Sequence, residues 1–142
     1  MKELSRFHEA QALAYERALK EIRQGKKTSE WIWYIFPQLE GLGNSTNANF
    51  YGIHNLDEAR AYLNDEVLGK RLNELSQMLL SLKLNDATEI FGTLDALKLR
   101  SCMTLFSIAD PSNSVFKSVL SHFFNDNMDS LTIALLQNQE KD

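Results

Sequence analysis

One aromatic stretch, Ser29–Gly43, constrains the fold more than any other part of the sequence. It contains both tryptophans of the chain, one of its two prolines and two of its six glycines. Its apolar run is shorter than the roughly 20 residues that span a bilayer, so we expect it to form the centre of a hydrophobic core. Pro37 disfavours helical geometry at the residue before it and predicts a short helix that ends near Phe36.

Apolar residues recur every three or four positions along most of the remaining chain, as they do on one face of an α-helix. No segment alternates apolar and polar residues for long enough to predict a half-buried strand. Several of these segments are preceded by side chains that typically cap the start of a helix. These capping residues are Asn55 with Glu58, Asp65, Asp86 and Asp129. Gly25 is expected to end the first helix in a left-handed conformation.

The length of 142 residues, of which 44% are hydrophobic, is typical of one domain with a substantial core. Together with the helical periodicity, it predicts an all-α fold: a single compact multihelical domain of six to eight helices. This domain is expected to span residues 1–142, with a frayed tail at 137–142.

Composition disfavours several function classes. A net charge of −4 disfavours nucleic acid as a partner. The single cysteine, Cys102, cannot form an intramolecular disulfide, and no Cys/His cluster has zinc spacing, so neither a metal site nor a cofactor is predicted. The first residues lack the apolar stretch of a signal peptide, and we expect a cytoplasmic protein without membrane attachment.

Several segments carry a family resemblance, among them Ile35-Phe36-Pro37-Gln38-Leu39, Glu58-Ala59-Arg60-Ala61-Tyr62-Leu63, and Glu89-Ile90-Phe91-Gly92. The chain resembles a bacterial family known as domain of unknown function 1810, which implies an all-helical single domain without established activity. Some members are labelled calpastatin, but that inhibitor is a long disordered chain, whereas this sequence predicts a core. Many members have histidine where this chain has Glu30, so a function that needs an imidazole there would be absent or altered.

The aromatic stretch and the loop after it form the first candidate site. Trp31, Tyr34 and Phe36 can stack on a planar ring, while backbone amides of the loop from Gly41 to Ser45 can hold a phosphate or carboxylate. The alternative is that the aromatics belong to the core and the glycines only turn the chain. No glycine-rich nucleotide-binding pattern is present.

The segment Lys98–Thr104 forms the second candidate site. Leu97, Ser101 and Leu105 are expected to share the inward face of one helix, where Ser101 beside Lys98 can bind an anion or act as a nucleophile. Alternatively, the Ser101 hydroxyl bonds back to the carbonyl four residues earlier and Arg100 forms an ion pair. A third candidate is His54, either a general base or a capping or surface residue.

The sequence therefore predicts a domain that binds a small anionic or nucleotide-derived ligand between the Trp31–Gln38 segment, the Gly41–Ser45 loop and the Lys98–Ser101 helix. Whether the ligand is turned over stays open, and no catalytic residue is assigned. The predicted ligand-binding residues are Trp31, Tyr34, Gln38, Gly41, Gly43, Ser45, His54, Lys98, Arg100 and Ser101. The alternative is a non-enzymatic protein-interaction or adaptor domain with an exposed aromatic patch.

Overall fold

A computed structural model describes residues 3–140, which contain nine α-helices and no strand. The helices are α1 Ser5–Arg23, α2 Ile32–Ile35, α3 Thr46–Tyr51, α4 Leu56–Asn64, α5 Leu68–Ser81, α6 Ala87–Phe91, α7 Thr93–Ala109, α8 Val115–Phe124 and α9 Ser130–Glu140. The predicted all-α single domain is confirmed. The structure exceeds the expected six to eight helices because α3 forms in a stretch that shows no apolar periodicity.

Helix α7 is the centre of the domain and packs against α4, α6, α8 and α9. Its residues 101–107 are all buried, and the hydroxyls of Ser101, Thr104 and Ser107 donate to carbonyl oxygens of the preceding turn. Its core side includes Ala96, Leu99 and Met103, whereas Leu97, which was predicted to face inward, is 48% exposed. When a helix is apolar nearly all round, its sequence does not show which face points to the core.

The predicted helix ends agree with the structure at several points. Gly25 has a positive φ of 77° after α1. The Asn55 side chain accepts a hydrogen bond from the Glu58 amide at 2.9 Å, and the Asp86 side chain accepts one from the Thr88 amide at 2.9 Å. Helix α9 continues to Glu140, four residues beyond its expected end; fraying of this tail stays a prediction, and residues 141–142 lie outside the described part.

Two close contacts fix α4 in the core. The Arg6 guanidinium lies 3.0 Å from the Glu58 carboxylate, and both side chains are buried. A Cβ atom on Gly69 would lie 2.0 Å from the Leu63 carbonyl oxygen, so the approach of α5 to the end of α4 requires glycine at this position. From the sequence, a glycine near the start of a helix costs about 1 kcal/mol against alanine unless close packing uses it, and the approach to Leu63 is such packing.

The aromatic stretch leads through α2 to a short backbone pairing. Leu39 and Ile53 form an isolated parallel bridge, in which the Ile53 amide donates to the Gln38 carbonyl at 2.9 Å. This pairing fixes the backbone on both sides of the Gly41–Ser45 loop and holds Gln38 in a defined place. Within residues 3–140, no helix has the length and apolarity needed to cross a membrane.

Candidate functional site

A surface cleft of about 350 Å³ lies where the three predicted segments meet. Its lining residues are Trp33, Gln38, Leu42, Gly43, Asn44, Ser45, Leu94, Leu97, Lys98, Ser101, Asp129 and Leu131. The volume falls at the lower end of the range typical of small-molecule sites. Five of the ten predicted site residues line it, namely Gln38, Gly43, Ser45, Lys98 and Ser101.

Trp33 lines the cleft, whereas the predicted Trp31 is a core residue with 1% of its surface exposed. The indole N–H of Trp31 donates to the Glu21 carboxylate at 2.9 Å, and its ring packs edge-on against Phe91. Residues two positions apart point about 200° apart around a helix axis, so only one of the two tryptophans can face the core.

The Glu21 carboxylate anchors the core side of the aromatic stretch. Besides Trp31, it accepts hydrogen bonds from the Thr28 amide at 2.7 Å and from the amide and hydroxyl of Ser29 at 2.9 and 2.6 Å. Burial alone would raise the pKa of Glu21, but these hydrogen bonds favour its charged form and lower the pKa to about 2. The Glu21 carboxylate therefore has a structural role as an anion, and the protein supplies its hydrogen-bond donors.

Gln38 presents the opposite situation on the cleft side. Its side chain is 9% exposed and lines the cleft. Among residues 3–140, no protein group hydrogen-bonds to its side-chain amide. Its polar atoms are not enclosed by the protein, so water or a ligand in the cleft can be their hydrogen-bond partner.

Lys98 supplies the positive charge of the cleft. Its ammonium nitrogen lies 4.8 Å from the centroid of the Trp33 ring and 3.4 Å from the Asp95 carboxylate. Asp95 is shared, because the buried Lys27 approaches it to 2.6 Å. One carboxylate thus faces two ammonium groups, which leaves an excess of positive charge beside the cleft.

The other charged residue of the lining, Asp129, is already engaged. Its carboxylate accepts hydrogen bonds from the amide and hydroxyl of Thr132 and lies 3.7 Å from the Arg100 guanidinium. Arg100 itself is absent from the lining, and its buried Nε has no partner among the described residues. Thr104 links α7 to the residue before α9, since its hydroxyl donates to the Arg100 carbonyl and accepts from the Asp129 amide.

Ser101 lies at the base of the cleft and is 7% exposed. Its hydroxyl donates to the Leu97 carbonyl at 3.1 Å, which is the structural alternative considered from the sequence. In the described part of the chain, no basic side chain hydrogen-bonds to this hydroxyl. The geometry is that of a helix residue with a satisfied hydroxyl rather than of an activated nucleophile.

Four further residues that were considered from the sequence lie away from the cleft. The Tyr34 hydroxyl donates to the Glu30 carbonyl at 3.2 Å, and the Glu30 side chain is exposed. Gly41 turns the chain with a φ of 102°. His54 lies in a separate depression, 3.3 Å from the Glu40 carboxylate. The structure therefore does not bring Tyr34, Gly41 or His54 together with Lys98.

Three leucines form an exposed apolar rim around the cleft. Leu94 is 71% exposed, Leu131 54% and Leu97 48%. Leu94, Leu97, Lys98 and Ser101 follow the spacing of one helix face, so the sequence contains the signal for this wall of the cleft. It was missed because leucines at helical spacing were assigned to the core.

Nothing within residues 3–140 places three or more His, Cys, Asp or Glu side chains where they can hold a metal ion. Burial raises the pKa of the Cys102 thiol well above its usual value, which disfavours the reactive thiolate. The chemistry that the cleft offers is therefore recognition by two side-chain amides, those of Gln38 and Asn44, together with one ammonium group, one carboxylate, one indole and an apolar rim.

The fold and the cleft together define an all-helical domain with a mixed polar and apolar surface site. The chain belongs to the family described as "Protein of unknown function (DUF1810)", whose model matches residues 1–136. It is similar to the conserved hypothetical protein Rv1873 from Mycobacterium tuberculosis, a crystal structure at 43% identity and a TM-score of 0.92, with 94% of this chain and 96% of that chain covered. No curated protein matches it. The resemblance drawn from the sequence is confirmed.

Proposed function

We propose that this protein binds a small organic anion in the cleft between the aromatic stretch, the Gly41–Ser45 loop and α7. The observation that carries this proposal is the side-chain amide of Gln38, a residue that is only 9% exposed and lines the cleft without a side-chain hydrogen-bond partner among residues 3–140. Both polar atoms of the amide reach solvent in the cleft, so a bound ligand can replace water as their hydrogen-bond partner.

The charge of the ligand follows from the ions beside the cleft. Lys27, Lys98 and Arg100 pair with two carboxylates, Asp95 and Asp129, which leaves one positive charge in this group of five residues, whereas the lining itself contains one cation and one anion, Lys98 and Asp129. Only Lys98 among these cations lines the cleft. It is 21% exposed, so its attraction for an anion is less screened by solvent than that of a fully exposed lysine.

The apolar part of the lining indicates the chemical nature of the uncharged portion of the ligand. Trp33 and Leu42 are half-buried, and the three leucines of the rim extend the apolar surface outwards. Such a surface favours a ligand with a ring or an aliphatic portion over inorganic phosphate alone. A nucleotide-derived ligand meets both the apolar and the anionic requirement. The proposal is one of binding and assigns no reaction.

The experiment is scanning calorimetry of the protein with nucleotides, sugar phosphates, aryl carboxylates and inorganic phosphate. A ligand present at about 100 times its Kd stabilises the folded state by about 2.7 kcal/mol, which raises the Tm measurably. Trp33→Leu and Lys98→Met should remove this shift. The matched control is Lys70→Met, because Lys70 is 75% exposed on α5 and pairs with Glu74.

Two outcomes would contradict the proposal. One is that no compound of the panel raises the Tm of the folded protein. The other is that Trp33→Leu and Lys98→Met retain the shift of the parent protein, which would place the binding elsewhere on the surface.

A second candidate function is a protein contact made by the apolar rim. It is favoured by the exposure of Leu94, Leu97 and Leu131, since contiguous exposed apolar residues mark interaction sites. Replacing Leu94 and Leu131 by glutamine separates the two functions. Loss of a protein complex with unchanged small-ligand binding would favour the contact, whereas loss of ligand binding alone would favour the cleft. For either function we expect a cytoplasmic location.

A further inference from the structure

We propose that Gln38 is the specificity residue of the cleft, and that the ligand presents a planar edge with a hydrogen-bond donor beside an acceptor. Carboxamides, lactams and imides share this chemistry. This inference rests on the proposed function, because it concerns which anion the same cleft selects.

The first argument is the hydrogen-bonding capacity of the Gln38 amide. It has two N–H donors and one carbonyl acceptor side by side, so its full complement is another group with an acceptor beside a donor. Within residues 3–140 the protein supplies none of these partners. Water can bond to the amide in the cleft, so a ligand that displaces this water must reproduce its hydrogen bonds to gain affinity.

The second argument is that the backbone that carries the amide is held in place. The Gln38 carbonyl accepts a hydrogen bond from the Ile53 amide at 2.9 Å, and the flanking Pro37 and Leu39 are buried. A polar group on a fixed backbone loses little entropy when a ligand binds, and it enforces one geometry. Among polar groups of the cleft, Gln38 differs from Ser101 and Asp129, which already bond to neighbours.

The third argument is the shape of the surroundings. Trp33 and Leu97 offer apolar surface to the face of a flat ring, and Lys98 stands 4.8 Å from the Trp33 centroid as the counter-charge for an anionic group. The cleft thus offers the Gln38 amide for an edge, apolar surface for a face and one ammonium group for a charge. A planar heterocycle or ring carboxamide that carries a phosphate or carboxylate meets all three requirements.

The test is isothermal titration calorimetry with four probes. Uridine 5′-monophosphate carries an imide edge and nicotinamide mononucleotide carries a carboxamide. Phenyl phosphate has a ring and an anion without such an edge, and ribose 5-phosphate has no ring. We expect at least one of the first two to bind tenfold or more tightly than both phosphate controls, because sites that hydrogen-bond a ligand reject analogues that leave the site's polar groups unpaired. Which of the two binds distinguishes an imide from a carboxamide.

The variant is Gln38→Met, which keeps the length of the side chain and removes its hydrogen bonds. It should abolish the tenfold preference and leave the weaker binding of phenyl phosphate unchanged. Gln38→Glu, which keeps an acceptor and loses the donors, should also lose the preference. The matched control is Gln139→Met on α9, because the Gln139 amide donates to the His54 carbonyl outside the cleft.

The outcomes separate this inference from the proposed function. If phenyl phosphate binds as tightly as the best nucleotide, or Gln38→Met weakens all probes equally, the inference fails while the anion site stands. If no probe binds, or if binding survives in Trp33→Leu and Lys98→Met, both fail.

Discussion

The two tryptophans are separated by one residue, yet each lies in a different environment. Trp31 is in the core, with its indole N–H on the Glu21 carboxylate and Lys27 at 5.1 Å from its ring centroid. Trp33 lines the cleft, with Lys98 at 4.8 Å from its ring centroid. The two lysines share one carboxylate, that of Asp95.

The polar groups on the two sides differ in how they are satisfied. On the core side, Glu21 accepts four hydrogen bonds from the protein. On the cleft side, the Gln38 side chain accepts and donates none within residues 3–140. A polar group with a full set of internal partners contributes to stability, whereas one without them is available for recognition. The comparison therefore predicts that mutations on the core side affect folding and mutations on the cleft side affect binding.

The largest expected effect is that of Glu21→Ala. It leaves four donors without their acceptor, among them the buried indole N–H of Trp31, and we expect the free energy of unfolding to fall by about 4 kcal/mol. Trp31→Phe is the matched variant, because it removes one donor and should cost about 1–2 kcal/mol. Chemical denaturation measures both. A loss below about 1 kcal/mol for Glu21→Ala would show that the carboxylate is not a structural anchor.

The second prediction concerns acid. The pKa of Glu21 is about 2 in the folded protein, against 4.5 as its ordinary value. A lowered carboxyl pKa contributes stability that is present above about pH 4.5 and is lost as the pH falls towards 2, and its full size is about 3 kcal/mol. Denaturation at several pH values should show this loss in the parent protein.

Glu21→Gln is the control for the acid prediction. Backbone hydrogen bonds and His8 also lower the pKa of Asp65 despite its burial, so only the difference between the parent and Glu21→Gln isolates Glu21. That difference should shrink between pH 4.5 and 2. A difference that stays constant over this range would contradict the lowered pKa.

The third prediction compares the two lysines that share Asp95. Lys27 is 8% exposed and Lys98 21% exposed. Lys27→Met removes the cation of the more deeply buried ion pair and should lower the free energy of unfolding by about 2 kcal/mol. Lys98→Met should lower it by less than about 1 kcal/mol. Thermal unfolding at matched pH measures both. Equal losses would mean that the cleft side stabilises the fold as much as the core side does.

The smallest expected effect on stability is that of Gln38→Met. Because the amide has no partner among residues 3–140, removing it should change the free energy of unfolding by less than about 1 kcal/mol, and a gain is as compatible with the geometry as a loss. Gln11→Met is the contrasting control, since the Gln11 amide donates to the Tyr34 carbonyl at 2.7 Å. A loss above about 2 kcal/mol for Gln38→Met would show that the amide already has an internal role.

Much of the fold follows from local sequence signals. Asn55, Asp86 and Gly25 act where helix chemistry predicts, because capping depends on neighbours along the chain. Short helices such as α3 do not follow from periodicity, since six residues give no complete pattern. The close approach at Gly69 depends on the Leu63 carbonyl of another helix, which no local signal reports.

The sequence located the lining of the cleft by segment better than by residue, and ligand binding there stays a prediction. All three predicted segments meet at the cleft, and Gln38, Lys98 and Ser101 line it. Trp31 was predicted to line the site instead of Trp33, and this was wrong for the cleft. The sequence of a four-residue helix does not show which of its faces points inward. Asp129 was recognised only as a helix cap, and its place in the lining depends on the tertiary packing of α9 beside α7.

The separate environments of the two indoles also have a spectroscopic consequence. Indole emission depends on the polarity and charge around the ring, so Trp31 in the core and Trp33 beside Lys98 should emit differently. In Trp33→Phe the remaining indole reports on the core, and in Trp31→Phe it reports on the cleft. The chain thus contains two intrinsic optical probes, one for unfolding and one for occupancy, and needs no added label.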